Sequence, residues 1–402
     1  MVNKKLLQIG LYALCAIVAG AGIFLRLLPR ESVKNTGKSP AASAVENQPV
    51  GKSDWPVFRG DSLLSGCSNM KIAKNLSLKW EYSCVNCSTP VAKNGKLYLV
   101  NEDGILFALD CKKGTLIWKT GSGIGKTGAA LLFHDGTLFV GNDDGELIAL
   151  DAAGGKEKWR TKTDGQIKGA ANIWQDSKTA RSIVIFGSYD SNLYALDSSD
   201  GKRIWTFKSG GYINGAAAVY ANYAIFGGCD SMLRIADLVN GKEAELIATG
   251  SYIPGNPAIC GNSVFCANYE GKVICYDLKN KKILWEHEEK GMQFMSSPAV
   301  NESRIVLCAK EGEILCLATS DGSLKWKFKV RGSIETSPVI CGDRMLTGSS
   351  DGRLYVLDLE SGNLIQEYDA TSPVISSPVV ADGNIFVCTE SGKILCLEVV
   401  KK

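Results

Sequence analysis

Histidine is almost missing from this chain: His134 and His287 are the only two in 402 residues. A zinc site built on several imidazoles, or a Ser-His-Asp triad drawn from many candidates, is therefore disfavoured. An excess of one charge is missing too. Lys and Arg number 45 against 42 Asp and Glu, a net of +3. No clustered positive field is available to collect phosphates, so no nucleic-acid partner is expected. No two cysteines are adjacent, and Cys84 and Cys87 form the only Cys-x-x-Cys. With no second such pair and no histidine beside it, a structural zinc site has only half its ligands, and no metal is expected. What remains is a globular composition, 45% hydrophobic and 22% charged with 43 glycines. It excludes a disordered or fibrous chain.

The first fifty residues stand apart. Residues 1–5 are a short tail with Lys4 and Lys5. Residues 6–28 are almost wholly apolar and long enough to cross a bilayer as one helix. The reading is an uncleaved signal anchor, with cleavage near Ala19-Gly20-Ala21 as the alternative. Cys15 follows Leu14 rather than a small residue, which argues against a lipidated cysteine. Residues 29–53 read as a flexible linker. Arg26, Arg30, Lys34 and Lys38 end or follow the apolar run, a pattern that opposes export of that side.

A forty-residue repeat organises the rest. Ala108, Asp110, Gly114 and Trp118 define Ala-x-Asp-x-x-x-Gly-x-x-x-Trp. Ala149, Asp151, Gly155 and Trp159 repeat it, as do Ala195, Asp197, Gly201 and Trp205. Later copies are worn: they keep Trp285 and Trp326 but carry Glu245 and Gln366 where tryptophan is due. The Asp column falls at 110, 151, 197, 237, 277, 318, 358 and 398, with Ala at 318 and Glu at 398. Within each unit, alternating apolar runs flank turns such as Asp103-Gly104, Asp144-Gly145 and Asp351-Gly352. Such dipeptides tolerate the positive φ of hairpin turns. Four short strands per unit, without helical periodicity, predict an all-β chain and an eight-bladed β-propeller of four-stranded blades. The propeller spans 54–402, with its eight repeats over 76–402. The ends are complementary. Trp80 sits in a fourth-strand segment lacking its first three strands, while Cys396-Leu397-Glu398 starts a motif that never reaches a tryptophan. An N-terminal strand completing the last sheet would close the ring without an open edge.

This repeat resembles the tryptophan-docking motif of the pyrroloquinoline-quinone-type propeller family. Trp55-Pro56-Val57-Phe58-Arg59-Gly60 is similar to the opening segment of exported bacterial propellers of that type. The resemblance covers nearly all of the chain after residue 54 and is specific to fold rather than function. It implies one of two trades. One is a non-catalytic scaffold like BamB of outer-membrane protein assembly, with no cofactor. The other is a dehydrogenase carrying pyrroloquinoline quinone and calcium. The compact units and the lack of adjacent cysteines favour the scaffold. The implied partners are other envelope or membrane proteins, with the membrane reached through the N-terminal helix. The expected protein is a monomeric propeller, single-pass in the inner membrane, with the propeller on the periplasmic side.

No motif outweighs its structural explanation. Gly121 to Thr127 mimics a phosphate loop, but Thr120 stands where its first glycine belongs and a strand follows instead of a helix. Cys275, Cys316 and Cys396 replace the motif alanine, and Cys308 and Cys388 a strand glycine, so they read as small core side chains. Asp143-Asp144 and Glu288-Glu289 read as solvated turn or loop anions, and both histidines as surface residues. The connectors after successive Trp strands place Ile213, Ile253 and Phe294 in a packing column. Tyr212, Tyr252 and Met292 fall just outside it, on one face, as a candidate partner-binding arc.

Overall fold

A computed structural model describes residues 54–72, 75–121 and 123–400. The apolar segment 6–28, the linker 29–53 and Cys15 lie outside the described residues. Among the described residues no helix is long and apolar enough to cross a membrane.

Eight antiparallel sheets follow one another along the chain as eight blades. Blade 1 is typical. Its strands are Val91–Lys93, Lys96–Val100, Leu106–Asp110 and Leu116–Lys119, from the innermost to the outermost. The second and third strands are buried almost throughout, whereas the outermost alternates or lies open. That is the pattern of sheets stacked face to face, with one edge on solvent. Blade 8 draws on both ends of the described chain. Asn75–Ser83 pairs antiparallel with Lys393–Val400, from Asn75↔Val400 to Ser83↔Lys393, with a bulge between Leu78 and Trp80.

The repeated motif joins each blade to the next. The Asp carboxylate accepts backbone N–H bonds in the turn that follows, as Asp110 Oδ1 does from Lys112 and Lys113 at 2.9 and 2.8 Å. Four residues on, a glycine adopts positive φ, 68° at Gly114 and 71° at Gly201. The preceding blade's tryptophan lies on that glycine. A Cβ on Gly201 would come within 2.6 Å of Trp159, and one on Gly114 within 2.4 Å of Trp80. The indole N–H then donates to a carbonyl of the same turn: Trp80 to Cys111 at 3.1 Å, Trp159 to Ser198 at 3.1 Å, Trp205 to Leu238 at 2.9 Å. Trp285 and Trp326 bond likewise to Thr319 and Leu359, both at 2.9 Å. Trp118 packs on Gly155 but its buried N–H has no partner among the described residues.

The worn copies are matched substitutions. Where blade 4 has Glu245 for tryptophan, the glycine position of blade 5 is Lys281, and the two form an ion pair at 2.6 Å. Where blade 7 has Gln366, its amide brackets the backbone of Leu76, accepting from the N–H at 2.8 Å and donating to the carbonyl at 3.3 Å.

A strap formed by residues 54–68 runs around one end of the axis. The Trp55 carbonyl accepts from Ala92, Pro56 from Phe133, Ser62 from Val219, Leu63 from Ile259, Ser65 from Val300 and Gly66 from Ile340. The Ser62 carbonyl also accepts from the Asn172 side chain at 2.8 Å. The strap thus touches the innermost strands of blades 1 to 7, and Cys67–Ser68 adds a parallel strand to blade 7. Arg59 is wholly buried here, donating from Nη2 to the Pro298 carbonyl at 3.0 Å. Burial pushes its pKa down to about 10, with Asp61 opposing.

Candidate functional site

The strap bonds the innermost strands mostly at their middle residues, such as Ala92, Phe133, Val219, Ile259 and Ile340. Their N-terminal ends open into a cup of about 260 Å³, with Phe58 of the strap among its walls. The cup wall is the set of blade-to-blade connectors. In blades 2 to 5 these read Gly128, Gly169, Gly215 and Gly255; in blades 6 to 8, Ser296, Thr336 and Ser376. Gly169 and Gly255 are required by close approach of neighbouring backbones and Gly215 by the Asn256 side chain, whereas Gly128 has nothing within 4 Å. A Cβ on Gly169 would meet the Gly215 carbonyl at 2.4 Å, and one on Gly255 the Ser296 carbonyl at 2.6 Å.

The next position forms a relay. The Ala216 N–H donates to Asn256 Oδ1 at 2.5 Å, Asn256 N–H to Ser297 Oγ at 3.0 Å, Ser297 N–H to Ser337 Oγ at 3.1 Å, and Ser337 N–H to Ser377 Oγ at 2.9 Å. The backbones of blades 4 to 7 are thereby each tied to the next blade's side chain. The cup's ionisable lining is Lys168 and Glu335. Lys168 pairs with Asp143 at 2.6 Å, and the exposed Glu335 lies 4.0 Å from Lys310 Nζ.

Around the cup, the connectors carry the aromatic arc. Tyr212 is 48% exposed and its ring stacks on Tyr189 of the preceding hairpin, centroids 5.2 Å apart. Tyr252 is half-buried and stacks on Tyr269 at 4.6 Å. Met292 is half-buried against the core of blades 5 and 6. Ile213, Ile253 and Phe294 are fully buried between blades. The three arc residues lie on successive connectors, and each has a packing role that the repeat alone did not reveal.

A family model described as outer membrane protein assembly factor BamB matches residues 102–296 and 291–400. The chain belongs to the BamB family. Comparison with curated proteins returns no match. Among solved structures, BamB from Moraxella catarrhalis is similar at 18% identity and TM-score 0.69, covering 81% of this chain and 98% of that one. The quinohemoprotein alcohol dehydrogenase of Comamonas testosteroni is similar at 16% identity and TM-score 0.73, over 87% of this chain and 81% of that enzyme. The computationally designed protein Ika8 gives 17% identity and TM-score 0.70, over 80% and 98%. At such identities the likeness speaks for the fold, and the neighbours include both an assembly factor and an enzyme.

The quinone of the dehydrogenase branch can be tested against this BamB-family cup. Pyrroloquinoline quinone is a planar tricarboxylate, and calcium takes about six to eight oxygens. The cup offers one cation, Lys168, already paired with Asp143, and one carboxylate, Glu335. Its volume is below the roughly 300–1,000 Å³ of pockets for larger ligands. Among the described residues no three His, Cys, Asp or Glu side chains cluster as metal ligands. The residues present do not fit the group.

Other sequence candidates resolve locally. The described part of Gly121–Thr127 is a connector between strands, with Thr127 Oγ1 bonded to the Gly141 carbonyl at 2.7 Å. The two histidines are half-buried rather than on the open surface, because each is held by neighbours. His134 Nε2 lies 2.9 Å from Ser182 Oγ and 3.1 Å from Gln175 Nε2, and His287 Nε2 lies 2.9 Å from Glu289 Oε1. Glu289 is no solvated loop anion either. Burial, which would raise its pKa, is outweighed by Lys327 at 2.7 Å and by His287, so it lies below the usual carboxylate range. Sequence reasoning missed the strap, whose only trace was the Trp55–Gly60 segment.

Proposed function

We propose that this chain is a non-catalytic interaction scaffold of the cell envelope, tethered through residues 6–28, which offers the open mouth of its ring to another envelope protein. The observation that carries the reading is an asymmetry of the two mouths. One end of the axis is covered by the chain's own strap, bonded to seven blades. Among the described residues no such strap crosses the other end, and there Tyr212, Tyr252 and Met292 stand on three consecutive connectors. Aromatic and methionine side chains are enriched in the cores of protein interfaces. Family membership supports a place in outer-membrane protein assembly.

The test is a triple variant, Tyr212→Ser, Tyr252→Ser and Met292→Ser, crosslinked in native membranes beside the parent. The expected result is a lost crosslinked partner with the protein still folded. Capture equal to the parent's would remove the arc from the interface. A parallel sample with added pyrroloquinoline quinone and calcium should show neither quinone absorbance nor alcohol oxidation. Activity there would move the chain to the dehydrogenase branch.

A further inference from the structure

Cys84 and Cys87 form a disulfide at the corner where the chain leaves the outermost strand of blade 8 and turns into blade 1. The repeat shows what this corner does elsewhere. Four residues after the motif tryptophan, blades 2 and 3 have Thr163 and Ser209, and blade 4 has Thr249 at the same register. Each hydroxyl bonds two carbonyls at once. Thr163 Oγ1 reaches Gly145 at 2.9 Å and Gly165 at 2.8 Å; Thr249 Oγ1 reaches Ser231 and Ser251, both at 2.8 Å. Ser209 Oγ does the same with Ser191 and Gly211. The hydroxyl ties the connector to the hairpin of its own blade. At the closing corner Cys84 takes that register. Its N–H keeps the shared bond, to the Gly392 carbonyl at 2.7 Å, but the hydroxyl's work passes to the bond with Cys87.

The corner is wired into both neighbouring blades. Cys87 bridges to Asn101, and the Glu102 N–H donates to the Asn86 carbonyl at 2.9 Å. The Ser88 N–H donates to the Val100 carbonyl, and the next residue, Thr89, lines the cup. Between the cysteines Val85 is 63% exposed, while Cys84 and Cys87 themselves are buried beneath the turn, so a reductant reaches the bond when this surface turn opens. Four of the free thiols lie inside strands rather than at a turn. Burial pushes Cys266, Cys308, Cys316 and Cys388 up to about 12, which leaves them without the thiolate that exchange chemistry needs.

We propose that Cys84–Cys87 is a redox-addressable site, a two-electron latch on the closing corner of the ring, whose reductant is a dithiol. One thiolate of the dithiol attacks a sulfur of the pair, breaking the Cys84–Cys87 bond and forming a mixed disulfide. Its second thiolate then displaces the protein sulfur. The dithiol leaves as its own disulfide, and the protein gains two electrons and two protons as two thiols. The freed corner no longer has a covalent substitute for the hydroxyl bonds of blades 2 to 4, so the wall at Thr89 loosens. This inference is independent of the partner reading.

The test uses the full-length protein in detergent, incubated with dithiothreitol below its melting temperature, then alkylated and digested. The expected result is labelling of Cys84 and Cys87 while Cys266, Cys308, Cys316 and Cys388 stay unlabelled. Amide exchange at 84–90 and 100–102 should accelerate on the order of tenfold, with Ile225 of blade 4 unchanged. Cys84→Ala with Cys87→Ala should show the fast exchange without reductant. Cys84→Thr with Cys87→Ala restores the hydroxyl of the other blades and should show slow exchange with or without it. Labelling of the pair only together with the core cysteines, or full reduction with unchanged exchange, would reduce the bond to a structural staple and overturn the proposal.

Discussion

At the residue scale the glycine of the docking motif carries two demands at once, a left-handed backbone and room for an indole. Gly201 has φ 71° and lies under Trp159, whereas Gly136 has φ 68° with nothing within 4 Å of its would-be Cβ. Gly136→Ala should therefore cost only the conformational penalty, about 1–2 kcal/mol. Gly201→Ala adds overpacking and should cost about 2–4 kcal/mol in urea unfolding. Equal losses at the two sites would mean that the tryptophan does not press on the turn. His134 supplies a pH dependence. Burial lowers its pKa below the ordinary 6.5, with Asp135 partly opposing. A depressed histidine binds fewer protons folded than unfolded, so its contribution is intact above about pH 6.5 and is lost as pH falls. Tm should drop as pH falls below about 6.5, and His134→Gln should flatten part of that drop.

At the element scale the strand Asn75–Ser83 and the strap beside it are the pieces furthest from their partners in sequence. Deleting residues up to 83 removes eight paired positions against Lys393–Val400, the docking of Trp80 on blade 1, and the anchor of Gln366. Loss of one buried tryptophan typically costs about 3–5 kcal/mol, and this deletion should cost at least that. A truncated protein melting with the parent would show that the ring does not depend on this strand. The worn motifs show how an element can keep its contact while changing its chemistry. Glu245 with Lys281 replaces an indole on a glycine by an ion pair. The pair is part-exposed, so it restores specificity of contact more than stability.

At the scale of the whole molecule, the strap makes the ring two-faced, and compartment decides which partners meet the open face. The expected placement is outside the inner membrane, with the propeller held by residues 6–28. Protease added to spheroplasts should degrade it. Survival until the membrane is lysed would put the propeller in the cytoplasm, where its many thiols would be at home.

The sequence by itself determined the architecture, because a repeat of forty residues states one local instruction in full in three units and in worn form in the others. Asp, Gly and Trp at fixed spacing encode a turn, a left-handed bend and a docking ring, all short-range chemistry. It also carried the arc positions, since the repeat aligns Tyr212, Tyr252 and Met292 on successive connectors. Only the tertiary structure decided what those side chains pack against, because Tyr212 stacks on the hairpin before it and Tyr252 on the hairpin after it, a choice the repeat leaves open. The same holds for the strap and for the exchange of Glu245 with Lys281. Each joins residues from different blades or from the far end of the chain. A single sequence, read along its length, does not contain those distances.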